Sequence, residues 1–162
     1  MRICTMLVCL IIMMFPDVLA AHVPEGCVKL KNHQMGLYLV KSNVKHDADR
    51  RHVTSRTKNP ERWTIYKDEK YPNHYKIKHE ELGEDLFESV QSYNGNYIFT
   101  WIPKKLINDG GASWHIYQSS PGYFILKNKK FSHCLKCLNV DNMMAADAGC
   151  DTWRHEWAIE KC

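Results

Sequence analysis

From about residue 24 onward the chain alternates short apolar runs with polar turn formers. The runs are four to eight residues long and rich in Val, Ile, Leu, Tyr, Phe and Trp, and Gly, Asn, Asp and Pro separate them. Runs of this length bounded by turn residues predict strands, and a long succession of them predicts an all-β domain. One phrase occurs three times: Trp63-Thr64-Ile65-Tyr66, Trp114-His115-Ile116-Tyr117 and Trp157-Ala158-Ile159-Glu160, spaced 51 and then 43 residues apart. Side chains two apart in a strand share a face, so Trp63, Trp114 and Trp157 are expected to enter the core together with their isoleucines.

A second pattern recurs upstream of each phrase: Val28-Lys29-Leu30-Lys31-Asn32, Tyr75-Lys76-Ile77-Lys78-His79 and Phe124-Ile125-Leu126-Lys127-Asn128. Self-similarity at both ends of a segment predicts three copies of one supersecondary unit, covering about 24–70, 71–120 and 121–162. Between these ends lie further strand patterns at 37–41, 52–54, 86–90, 96–101 and 133–140, and Asn94-Gly95 reads as a hairpin turn. Three units of about four strands around a pseudo-threefold axis predict a β-trefoil: about twelve strands, with a six-stranded barrel closed by three hairpins.

The first residues follow a different rule. Arg2 precedes an apolar stretch at 3–15, and Val18-Leu19-Ala20 is a small-residue cleavage pattern, so residues 1–20 read as a secretory signal peptide cut after Ala20 or Ala21. The stretch is shorter than the roughly 20 residues a bilayer requires. The expectation is a secreted, extracellular protein without membrane insertion, formed by a single domain at 21–162.

Charge adds less. The formal net charge is +4, which permits but does not demand an acidic partner. Lys45, Arg50, Arg51, Arg56 and Lys58 cluster in one polar stretch, interrupted by Asp47 and Asp49. They form either a site for a polyanion such as heparan sulfate or a solvated loop with local ion pairs. Lys127, Lys129, Lys130 and Lys136 form a second, smaller cluster.

Cys4 and Cys9 leave with the leader, and five cysteines remain, enough for two disulfides and one thiol. Cys27 and Cys162 sit on the first and last strands, which must meet if the barrel closes. If 133–140 is one regular strand, Cys134 faces the core and Cys137 faces outward as the partner of Cys150. Cys134 is then unpaired, or bridges two chains into a homodimer; the pairing of Cys134 with Cys150 stays open. Cys134, Cys137, Cys150 and His155 have the spacing of a structural zinc site, but exported thiols are usually bridged, and no metal is expected. No phosphate loop, nucleophile elbow or His-Glu-x-x-His motif occurs. Neither a catalytic residue nor a cofactor is therefore expected, and the chain does not read as an enzyme.

Cys137-Leu138-Asn139-Val140, Cys150 and Trp157 together resemble the Cys-Leu-Asp-Val … Cys … Gln-x-Trp signature of ricin B-type lectin β-trefoils. The likeness covers the third unit well and the others only through their Trp strands. A small, secreted, Cys- and Trp-rich chain also resembles salivary proteins of blood-feeding insects. The lectin resemblance implies sugar sites, but degenerate ones: Asn139 replaces the sugar-binding aspartate, Ala148 the stacking ring, and Arg154-His155 the Asn-Gln pair. In the second unit Glu88 could act as the carboxylate, with Phe99 or Trp101 as the stacking ring. The resemblances imply a non-enzymatic binding protein that engages an extracellular host protein or glycan through its loops, as an immunomodulator or against a haemostatic factor. A carbohydrate-binding lectin is the alternative, and a protease inhibitor a further one.

Overall fold

The structure, a computed structural model, describes residues 22–90, 96–141 and 144–162. The expected leader and the Asn94-Gly95 turn lie outside the described residues. Twelve strands follow in order: β1 (Gly26–Asn32), β2 (Tyr38–Lys45), β3 (Arg50–Arg56), β4 (Trp63–Lys67), β5 (Tyr75–His79), β6 (Glu84–Ser89), β7 (Asn96–Trp101), β8 (Trp114–Ser120), β9 (Tyr123–Asn128), β10 (Cys134–Lys136), β11 (Ala145–Asp147) and β12 (Glu156–Lys161). A short 3-10 turn at Trp153–His155 precedes the last strand.

All pairings are antiparallel, and they correct the expected β-trefoil of a six-stranded barrel with three separate hairpins. The hairpin strands pair with one another, β3 with β7 and β7 with β11. A closed circuit of ten strands results, running β1-β4-β5-β8-β9-β10-β11-β7-β3-β2. The two remaining strands lie outside it, β12 bridging β1 and β9, and β6 bridging β5 and β7. All-β character is retained. What local sequence cannot express is the pairing between hairpins that are distant along the chain.

Strand alternation sets the core. Trp63, Trp114 and Trp157 are fully buried, with Ile65, Ile116 and Ile159 beside them on the same faces. A buried indole needs a partner for its N–H. Each finds a leucine carbonyl on another strand: Trp63 donates to Leu39 at 3.0 Å, Trp114 to Leu86 at 3.1 Å and Trp157 to Leu135 at 3.0 Å. The turns after β1, β5 and β9 repeat as well. In each, an N–H four residues on returns to the carbonyl of Asn32, His79 or Asn128. The returning residue has positive φ, 64° at Gly36, 66° at Gly83 and 58° at Ser132.

Two disulfides form among the described residues. Cys27 joins Cys162, and Cys134 joins Cys150, which corrects the expected Cys137–Cys150 pair and the free or intermolecular Cys134. The parity argument fails because β10 stops at Lys136. Beyond it the chain leaves the ladder, Cys137 N–H donating to the Arg154 carbonyl at 2.9 Å. Cys137 is then the free thiol, fully buried, so neither cysteine is available for the covalent dimer. Val140, which a regular strand through 133–140 would put on the same core face as Cys134, is 47% exposed. Among the described residues, no helix is long and apolar enough to cross a membrane.

Candidate binding cleft

β6 and β7 form a two-faced ribbon because side chains alternate across it. One face carries Glu84, Leu86 and Glu88 opposite Ile98 and Thr100, and turns to the core. The other carries Phe87, Phe99 and Trp101, which build a second apolar cluster with Ala112, Tyr97 and Ile107. Phe87 lies 5.8 Å from Phe99 and 5.5 Å from Trp101 between ring centroids.

A cleft of about 310 Å³ opens along this aromatic face. Trp101 and Phe131 give it two half-buried rings, Ile107 an apolar wall, and Ser89, Asp109 and Lys130 its polar groups. Asp109 accepts from Lys130 Nζ at 2.5 Å and from the Gly111 N–H at 2.9 Å. Burial works against its ionisation, but the Lys130 and Gly111 hydrogen bonds outweigh this and hold its carboxyl below the ordinary value. The connection at 102–112 that carries Ile107 and Asp109 is anchored from beneath. Buried Lys76 donates to the Ile107 carbonyl at 2.8 Å and lies 3.6 Å from Asp68, which also accepts from Ser113 Oγ at 2.5 Å.

The residues proposed from sequence for sugar contact divide between cleft wall, core and a remote surface. Trp101 and Glu88 both border the cleft, but the Glu88 side chain is wholly buried. Its Oε1 accepts from Asn96 Nδ2 and meets His133 Nδ1, each at 2.6 Å, while Oε2 has no hydrogen-bond partner among the described residues. Burial raises the Glu88 carboxyl above its usual value, against the pull of Asn96 and His133. Phe99 is fully buried, with the Arg50 guanidinium 5.5 Å from its ring centre and His52 packed against it. Asn139 is exposed elsewhere, its carbonyl accepting from Ser55 Oγ at 2.9 Å. Nothing local in the sequence brings Asp109, Lys130 and Phe131 together at this cleft. The one available signal was Gly110-Gly111, where a Cβ on Gly111 would lie 3.3 Å from the Glu88 carbonyl oxygen, marking a close backbone approach.

The basic stretch is largely neutralised. Arg50 is bound by Asp47, with Nε to Oδ2 at 2.7 Å, and Arg51 makes a two-point contact with buried Glu84 at 3.0 and 3.2 Å. Arg56 lies 3.9 Å from Asp141. Lys45 and Lys58 remain exposed. Cys134, Cys137, Cys150 and His155 do not converge as a metal site: no group of three or more ligating side chains occurs among the described residues, and His155 is instead bound to Asp147 at 2.8 Å.

No family model and no curated protein matches the chain. Solved structures do. SeviL bound to asialo-GM1 saccharide has a TM-score of 0.65 at 19% identity, covering 86% of this chain and 99% of its own; identity at that level shows a shared all-β fold and no more. A Culex quinquefasciatus salivary protein of the Cysteine and Tryptophan-Rich (CWRC) family has a TM-score of 0.72 at 22% identity, covering 87% of this chain and 96% of its own. Another salivary protein of that family and species is 52% identical, with a TM-score of 0.82, over 90% of this chain and 99% of its own. The chain belongs to the CWRC family of salivary proteins. This replaces the specific ricin B-type assignment and agrees with the salivary resemblance.

Proposed function

We propose that this protein is a secreted salivary binding module without catalytic activity, and that it engages an extracellular host macromolecule by holding a saccharide in the Trp101–Phe131 cleft. The observation that supports this is the meeting of two half-buried rings with Ser89, Asp109 and Lys130 around one apolar-walled cleft. A pyranose presents an apolar C–H face, which an aromatic ring covers, and hydroxyls, which a carboxylate and an ammonium bind. Such sites are concave, mostly apolar and fitted with a few polar groups. SeviL, a fold neighbour, was solved with a saccharide bound, which is consistent with the reading.

A glycan array followed by competition tests it. The expected result is a defined glycan motif, competed by the free saccharide and weakened at least about tenfold by Trp101→Ala, the loss of roughly one stacking contact and its apolar burial. Asp109→Asn should weaken it further. Capture of a host protein that neither free sugars nor Trp101→Ala affects would replace the saccharide reading with a protein-binding one.

A further inference from the structure

The four lysines of the second basic cluster separate in the fold. Lys130 pairs with Asp109 and Lys136 with Asp147 at 2.6 Å. Lys127 and Lys129 have no carboxylate partner among the described residues. Lys127 on β9 instead stands directly opposite His115 on β8. His74 brings its ring centre to 5.7 Å from that of His115, and Lys129 Nζ lies 5.8 Å from the ring centre of Tyr71. His74, His115, Lys127 and Lys129 all line one open, polar cleft of about 390 Å³, and no Asp or Glu lines it.

Like charges directly opposite one another destabilise a sheet, so a protonated His115 would be opposed by Lys127. Burial, then His74, then Lys127 push the His115 imidazole below its ordinary value, which an anion in the cleft would reverse. A second feature points the same way. The turn position with positive φ is glycine after β1 and β5, at Gly36 and Gly83, yet serine after β9, at Ser132. A side chain there is strained where glycine is not. Ser132 lines this cleft, and its hydroxyl makes no hydrogen bond among the described residues. The third turn thus accepts strain that the other two avoid, and gains a hydroxyl at the mouth of a cationic cleft.

We propose that this cleft is a binding site for a compact oxyanion, a sulfate or phosphate group carried on a larger ligand, held by Lys127, Lys129, His74, His115 and the Ser132 hydroxyl. It does not depend on the saccharide reading of the other cleft. The test is titration of the isotope-labelled protein with methyl sulfate and with methyl phosphate at low salt, where surface charge is least screened, with chloride at matched ionic strength as control. Saturable shifts at residues 127–132 and at the two histidines are expected with an oxyanion and not with chloride. The Lys127→Gln/Lys129→Gln double variant should bind at least about tenfold more weakly, having lost two charge-assisted contacts. Ser132→Gly should bind about threefold more weakly, one modest hydrogen bond, while raising Tm by relieving the turn. These opposite signs separate a lost ligand contact from a damaged fold. Preference for methyl sulfate would identify a sulfate ester as the source, and preference for methyl phosphate a phosphate ester. No saturable shift, a response equal to that of chloride, or wild-type affinity in the double variant would overturn the proposal.

Discussion

Glu88 Oε1 lies 2.6 Å from His133 Nδ1, a contact between residues 45 apart that ties β6 to the segment leading into β10. The carboxyl is fully enclosed, and one of its oxygens has no partner among the described residues. Because burial raises its folded-state pKa above the ordinary 4.5, its contribution to stability is present in full below that value. It is lost as pH rises through the folded value. Glu88→Gln removes the titration. The Tm of the variant minus that of the wild type should therefore increase as pH is raised from about 4 toward neutrality; a difference independent of pH would contradict the assignment.

Asp147 behaves in the opposite sense. Burial opposes its ionisation, but hydrogen bonds from Lys136 and His155 prevail and lower its pKa from 3.8 to about 2. Its contribution is present above pH 3.8 and is lost as pH falls through about 2. Asp147→Asn should be less stable than the wild type near neutrality, because an amide oxygen accepts more weakly than a carboxylate from Lys136 Nζ and from the buried His155 ring. The deficit should shrink in acid denaturation curves taken between about pH 4 and pH 2.

Cys137 should be chemically silent until the protein unfolds. Burial raises its thiol to about 11, against a hydrogen bond to Ser55 and the charge of Arg154. The thiolate is the reactive form, so native protein at pH 8 should show essentially no thiol titre with an aromatic disulfide reagent. Protein lacking residues 1–20, unfolded without reductant, should show one thiol per chain. Rapid labelling of the native state, or a dimer on non-reducing electrophoresis that Cys137→Ser removes, would refute the assignment of the free thiol to the core.

The three indoles predict a matched series. Trp63→Phe, Trp114→Phe and Trp157→Phe each keep a ring in the core but leave the carbonyl of Leu39, Leu86 or Leu135 without its donor. An orphaned buried acceptor costs about 1–3 kcal/mol, and complete truncation to Ala about 3–5 kcal/mol. Urea denaturation should give losses of similar size at all three positions. A neutral substitution at any one would mean that its indole bond contributes nothing.

The parts of the fold legible in the sequence are those whose information is local. Alternation within Trp-x-Ile suffices to place Trp63, Trp114 and Trp157 inside, because face is decided by neighbours two apart. Pairings between strands from different hairpins, such as Arg51 opposite Thr100, carry no local signature, and the expected barrel misses them. The same limit applies to the basic stretch, whose partners Glu84 and Asp141 come from remote segments. The cysteine pairing fails for another reason: alternation holds only while a strand lasts, and β10 ends after three residues, before Cys137. In the binding cleft, Trp101 is legible as a ring on a strand. Asp109 and Phe131 are not, because the connection and the turn that hold them become neighbours only when Lys76 and Asn128 bind the backbone of the connection, at Ile107 and Gly111.

The bridge between Cys27 and Cys162, 135 residues apart, makes everything between them a covalent loop. A protease that cuts one exposed turn within the loop opens it without freeing a fragment, and two nicks are needed before any piece can diffuse away. A cut between Cys134 and Cys150 is spanned a second time by the inner bridge. The molecule is thus built to remain one molecule after a single cut in any exposed turn between Cys27 and Cys162.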